Sequence, residues 1–379
     1  MSDNCNSFMD IISEQNVYVN PLPQLRSRQG KFPGMVQLSS GELLCLFELG
    51  EAFESVDSET YVTRSADSGK TWSLQGALYD MKKLPIDYRV SESVKPTLLK
   101  DGSLIAVGYR FDRSNPDLPI GNPDGGLLPG ENIVCFSYDQ GKTWAIPQVI
   151  KTGYPEFLEV SGPCIETTSG DLLSIGCPML LWDGSNPSGQ LGVLLRSGDK
   201  GKSWDCTTKY FTTPGNKISP WEARLCEMQP ERIVAIAWAF DCTANKHLAN
   251  HVVVSHDNGK TWSKPIDTGI MGQASNLMWL GDNKLLTIHS HRAGEVGLYV
   301  RLVDFSNDKW TVLNEKAIWG KAKAQDTSKN IIDQFANLKF GQPSLLKLNN
   351  DDFMAVFWCI ENCLGTIKSI RFKLNCSVK

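Results

Sequence analysis

Apolar and polar residues alternate along this chain in short runs, and the runs recur as a unit. The unit is an apolar strand, a tight turn containing Gly, Asp or Asn, and a second apolar strand. Its six versions are "GMVQLSSGELLCLFE", "PTLLKDGSLIAVGYR", "CIETTSGDLLSIGC", "ARLCEMQPERIVAIAW", "NLMWLGDNKLLTIHS" and "SLLKLNNDDFMAVFW". Short strands with frequent turns predict an all-β chain. No helical period longer than two or three turns competes, except in "KNIIDQFANL".

Between the hairpins a second element repeats: "SADSGKTW" from Ser65, "SYDQGKTW" from Ser137, "SGDKGKSW" from Ser197 and "SHDNGKTW" from Ser255. A degenerate copy, "DFSNDKW", ends at Trp310. Each copy follows an outer apolar run such as "ETYVTR" or "HVVVS". The residue types suit a turn. Asp accepts backbone N–H groups within the loop, Gly supplies positive φ, the hydroxyls close the hairpin, and the Trp ring packs into the blade. Four copies spread around a ring cannot meet at one site, so Asp67, Asp139, Asp199 and Asp257 are read as structural. Four strands in a unit of about 40–70 residues make a propeller blade. The fold expected is an all-β, six-bladed β-propeller over residues 25–379, with residues 1–24 as an N-terminal segment closing onto it.

These stretches resemble the Asp-box (BNR) repeats of the sialidase superfamily, whose fold is a six-bladed β-propeller. The resemblance spans nearly the whole chain, but Asp-boxes also occur in propellers that are not enzymes. It implies an active site at the channel mouth, opposite the boxes, with three Arg for a substrate carboxylate, a Tyr nucleophile assisted by Glu, and an Asp acid/base. By register, Glu222 in "WEARLCEM" takes the Glu position and Asp87 the acid/base position. The chain departs elsewhere. Lys31 stands at the first Arg position and Trp238 at the second; the third falls near Glu295, with Arg292 three residues earlier; Gln342 replaces the Tyr. Losing the Tyr removes that family's covalent route, and Lys keeps charge without bidentate carboxylate recognition.

The hairpins give a register of their own. Ten residues before each turn stand Lys31, Glu92, Val160, Trp221, Gln273 and Gly341, with Glu159, Glu222 and Gln342 one residue away. The far ends of the second strands bring Glu48, Arg110, Trp238, His291 and Arg292 to the same mouth. Glycoside hydrolysis needs two carboxyl groups flanking the scissile bond, so Asp87, Glu92 and Glu222 are the catalytic candidates. Lys31, Arg89, Arg110, Trp221, Trp238, His291, Arg292 and Gln342 are the substrate-binding candidates.

Composition narrows the rest. Of 379 residues, 41% are hydrophobic and 21% charged, and the formal net charge is −4, which gives no basic footprint for nucleic acid. No apolar run is long enough for a membrane helix. The eleven cysteines show no zinc spacing, and "HSHR" offers two His without a third ligand; neither metal nor cofactor is expected. Buried free thiols and a beginning without a signal-peptide pattern suggest the cytoplasm. Oligomeric state is not legible.

The function expected is a sialidase-like glycoside hydrolase that cleaves a terminal, anionic sugar at the channel mouth with a carboxylate pair in place of the Tyr. The alternatives are a carbohydrate-binding propeller without catalysis and a scaffold for protein partners.

Overall fold

The computed structural model describes residues 7–323 and 338–375. Most of "KNIIDQFANL" lies outside the described residues. Six sheets of four main strands form the blades of a β-propeller. Blade one runs Gln29–Gln37, Leu43–Gly50, Glu59–Ser65 and Ser73–Ala77 from the innermost strand outward. Blades two to five repeat that order, beginning at Val90, Ile165, Ile218 and Ser275. Blade six differs: Phe340–Lys347, Phe353–Glu361 and Leu364–Leu374 are completed by Met9–Tyr18, which pairs antiparallel with Leu364–Leu374. The first and last strands of the described residues therefore share one sheet.

The second strands are apolar on both faces because each blade is sandwiched between two others. Along blade one, Leu43, Cys45, Phe47 and Leu49 pack with Val356 and Trp358 of blade six. Leu44 and Leu46 pack with Val94 and Leu104 of blade two. Equivalent clusters fill the remaining blade interfaces. The core is thus a ring of inter-blade layers around a central channel.

The Asp-boxes join the third and outermost strands at one end of the blades. In the first, Asp67 Oδ1 accepts the Ser65 hydroxyl at 2.8 Å and the Thr71 N–H at 2.9 Å, while Oδ2 accepts the Thr71 hydroxyl at 2.7 Å. Trp72 Nε1 donates to the Gly69 carbonyl at 3.2 Å. The same Asp and Trp bonds recur around Asp139, Asp199 and Asp257. Gly69 needs its freedom, with φ +87 at the hairpin Gly41 and +86 here. Ser65 pairs with Leu43 across the sheet, whereas Lys31 pairs with Glu48 at the far end of the same strands. Boxes and channel mouth therefore lie at opposite ends.

The nine cysteines among the described residues are free thiols, Cys359 and Cys363 included.

Candidate active site

Three innermost strands break at the same level. In blade one the pairing jumps from Lys31↔Glu48 to Gly34↔Leu46, in blade four from Trp221↔Trp238 to Arg224↔Ile236, and in blade six from Gly341↔Trp358 to Ser344↔Val356. Each jump sets two residues against one, a β-bulge, which re-aims the side chains beside it. The first bulged residue is left-handed in all three: Phe32 with φ 50, Glu222 with φ 46 and Gln342 with φ 43. A non-glycine residue held there costs on the order of 1–3 kcal/mol. Glu222 and Gln342 are thus structurally equivalent positions on different blades.

Blade three supplies the partner of Glu222. Before its short inner strand, the backbone of Leu158 is clamped by the Asn132 side chain, which accepts from the Leu158 N–H at 2.9 Å and donates to its carbonyl at 2.7 Å. Leu158 and Val160 are buried in the layer between blades two and three. Alternation turns Glu159 the other way. Its Oε2 accepts the backbone N–H of Glu222 at 2.8 Å.

Charged groups surround this pair. Arg224, two residues beyond Glu222, donates from Nη1 to the Ser161 hydroxyl and the Ala223 carbonyl, both at 2.9 Å. Lys95 of blade two donates to the Ser93 hydroxyl at 2.9 Å and lies 5.9 Å from the Phe32 ring centroid. Burial, then the charge of Glu222, pushes the Glu159 carboxyl up to about 7. Burial, then the charge of Arg224, pulls Lys95 down to about 7. Tyr109 is pushed well above its ordinary value by burial and by Glu159, Glu48 and Glu222. A carboxyl that holds its proton near neutrality beside a second carboxylate is the arrangement general acid chemistry requires.

The residues singled out from the sequence fall into separate places. Glu222 is half-buried at the mouth, its Oε2 without a hydrogen-bond partner. Gln342 is buried, with Oε1 equally unpartnered. Arg292 also reaches this region: its charge and that of Glu222 interact, Nε and Nη2 donate to the Phe340 carbonyl at 3.0 and 2.8 Å, and Nη1 donates to Gln273 at 2.6 Å. Trp221 is half-buried and stacks on Phe240 at 4.6 Å. Trp238 is 2% exposed, stacked on His247 and donating to it at 3.0 Å, so it packs rather than lines the mouth.

Four others are engaged elsewhere. Lys31 is 1% exposed, paired with Glu48 at 3.0 Å, and donates to the Ala52 and Phe53 carbonyls. Glu92 is sealed between blades one and two, where it accepts from the Tyr79 hydroxyl; burial raises its carboxyl to about 7. Its face is set by a missing bulge. Blade two pairs without a break from Val90↔Asp112 to Leu98↔Leu104, so Ser93↔Tyr109, not Glu92↔Arg110, lies level with Lys31↔Glu48. Arg110 is held by Glu131 Oε2 through Nε at 3.0 Å and Nη2 at 2.8 Å. His291 accepts from Arg301 at 3.0 Å and packs on Tyr299; burial and Arg301 depress it to about 4.

Asp87 and Arg89 are exposed on the loop leading into blade two. With Arg113 they line a cleft of about 630 Å³, adjoining one of about 660 Å³ lined by Arg89, Arg113, Glu54 and Asp57. Both clefts lie among the loops of blades one and two. Glu159 was missed as a leading candidate because its strand begins late. The ten-residue count falls on Val160, and nothing in "EFLEVSGP" announces the Asn132 clamp.

The BNR/Asp-box repeat family model matches residues 253–264. No curated protein sequence matches the chain. Among solved structures, a protein of unknown function from Dyadobacter fermentans is similar with a TM-score of 0.76 at 18% identity, over 97% of this chain and 100% of that one. The NanB sialidase of Streptococcus pneumoniae is similar at 0.65 and 13%, over 95% and 70%. A Penicillium chrysogenum alpha-L-arabinanase, solved with arabinobiose, is similar at 0.62 and 14%, over 96% and 98%. What the chain shares with them at this identity is the fold.

Proposed function

We propose, for this six-bladed Asp-box propeller with the fold of sialidases and an arabinanase, a glycoside hydrolase that acts on a terminal sugar at the channel mouth with Glu222 and Glu159 as its carboxylate pair. One observation carries the reading: Glu159, raised to about 7, accepts the backbone N–H of Glu222, whose own side chain sits on a strained bulge. Glu159 donates the proton to the leaving-group oxygen, and Glu222 acts on the sugar as base or nucleophile. Lys95 and Arg224 offset the negative charge that remains on the pair as the proton leaves.

Asp87, on the exposed loop leading into blade two, takes no part in this pair. The alternative is a carbohydrate-binding propeller that kept this mouth without turnover; the absence of a Tyr at Gln342 favours it. Reducing-sugar release across a panel of glycosides separates the two. The hydrolase reading expects release by the wild type and its loss in Glu159→Gln and Glu222→Gln. Binding of a sugar with no release from any member supports the alternative.

A further inference from the structure

We infer that Asn132 is a positioning residue for this site: its grip on the backbone of Leu158 sets the Glu159 carboxyl against Glu222. The inference rests on the hydrolase reading for what Glu159 does to a sugar. Something must hold this stretch, because blade three has little inner strand to do so. The inner strands of the other blades run over seven to twelve residues, whereas that of blade three is Ile165–Glu166. Glu159 lies outside it. There the backbone meets the end of its own second strand through the Leu158↔Pro178 bridge and the Glu159 N–H, which donates to the Cys177 carbonyl at 2.8 Å. Asn132, on the third strand of blade two (Gly130–Ser137), adds a hold from the neighbouring blade and is 2% exposed. Its Oδ1 takes the Leu158 N–H and its Nδ2 the Leu158 carbonyl, while Nδ2 also reaches the Gly108 carbonyl of its own blade at 3.4 Å. The Leu158 carbonyl belongs to the planar peptide that carries the Glu159 Cα, so fixing it aims the Glu159 side chain.

The same place recurs around the ring, with different residues in it. Asn132 stands five residues before the box residue Ser137, and the other boxed blades carry Thr60, Gly192 and Asn250 there. The carbonyls of Thr60, Asn132 and Asn250 accept from the residue just past the outermost strand, the N–H of Leu78, Ile150 and Thr268. Asn250 reaches likewise: Nδ2 donates to the Gln273 carbonyl leading into blade five at 2.9 Å and to the Ala237 carbonyl of its own blade at 3.1 Å. Its Oδ1, however, is taken by His289 at 3.0 Å. The Thr60 hydroxyl is unpartnered. At Gly192 the Tyr210 ring fills the space, 2.3 Å from where a Cβ would sit. Of these four residues, Asn132 is the one that closes both backbone groups of a single residue, and that residue adjoins Glu159. Glu222, Arg224, Lys95, Tyr109, Tyr210 and Cys177 lie around the Glu159 carboxyl from blades two, three and four, and Ser161 hydrogen-bonds to it. A carboxyl released from this setting into water returns toward its ordinary value.

The full chain carrying Asn132→Leu tests this, since Leu keeps the size of the side chain and removes both bonds to Leu158. On an alkyl glycoside at about pH 7, kcat is expected to fall at least about tenfold, with KM within about threefold of the wild type. The decline of rate with rising pH is expected to move down from about 7 by about one pH unit or more. Asn250→Leu breaks the corresponding reach in blade four and should leave that decline near its wild-type place, which separates the placing of Glu159 from a loss of stability. In parallel, the NMR signal of the Glu159 carboxyl, assigned with Glu159→Gln, should titrate at about 7 in the wild type and closer to 4.5 in Asn132→Leu. Should Asn132→Leu not fold, Asn132→Thr, the residue of blade one at this place, carries the same expectations. A folded variant in which the rate decline and the Glu159 titration stay where the wild type has them overturns the inference. An equal shift in Asn250→Leu overturns it too. A wild type that cleaves no glycoside defeats the hydrolase reading alone, and the Glu159 titration then decides whether Asn132 places the carboxyl.

Discussion

Glu159 accepts the backbone N–H of Glu222 at 2.8 Å across the interface of blades three and four. The bond joins a carboxyl projected by a side-chain clamp to the backbone of a residue set on a bulge. Neither depends on the Asp-boxes that build the opposite end of the blades.

The first consequence concerns rate. If Glu159 supplies the proton, Glu159→Gln lowers kcat by about 10²–10⁴ on substrates with poor leaving groups. The loss is much smaller on an aryl glycoside whose phenolate leaves without protonation. The wild-type rate declines as pH rises through about 7, where Glu159 loses its proton. Parallel pH–rate profiles on the two substrate types check this; equal losses on both contradict it.

The same shift affects stability, with a sign that can be worked out. Glu159 is raised from 4.5 to about 7 in the folded chain. Below 4.5 it is protonated folded or unfolded. Between these values the unfolded chain releases the proton first, so stability falls with rising pH and levels off above about 7. Glu159→Gln removes this dependence. Urea denaturation from pH 4.5 to 7 should show the variant gaining on the wild type by about 3 kcal/mol. Lys95, pulled down from 10.5 to about 7, acts oppositely: its contribution to stability rises between those values.

Lys31 is held to be structural. Lys31→Met leaves Glu48 buried without its ion pair and should destabilise the chain by about 3–5 kcal/mol. Lys31→Met with Glu48→Leu should recover much of that loss. Where the double variant folds, KM should match the wild type. A raised KM with unchanged stability would instead make Lys31 a substrate ligand.

The boxes should behave as architecture. Asp67→Ala removes four bonds that close one turn, and should lower the melting temperature while leaving kcat and KM unchanged. Hydrogen bonds from the Thr71 backbone and side chain and from Ser65 hold Asp67 down to about 2. Its contribution to stability is therefore present above pH 3.8 and lost as pH falls through about 2.

The fold was legible because it repeats. Six hairpins and four boxes give the same signal many times, and the turn chemistry of Asp67 or Gly69 is local. In the fifth hairpin, though, the left-handed turn residue is Asp282, with φ 44, one position before Asn283, the residue ten beyond Gln273. The site was legible in part. Glu222 and Gln342 were found by register, but their unpaired oxygens were not, since orphaned atoms depend on what the other blades leave unfilled. Glu92 was placed at the mouth because a uniform count cannot see that blades one, four and six carry a bulge and blade two does not. The charges of Lys31 and Arg110 were visible, but not Glu48 and Glu131 closing on them, because side-chain pairing across strands follows from packing rather than spacing.

The most direct test of the central claim compares Glu222→Gln with the wild type for turnover of one glycoside that the wild type cleaves. The amide keeps the size of the side chain and the backbone N–H to Glu159 while removing the charge. The account predicts a loss of at least about a hundredfold in kcat with folding intact. Full turnover by Glu222→Gln would contradict it.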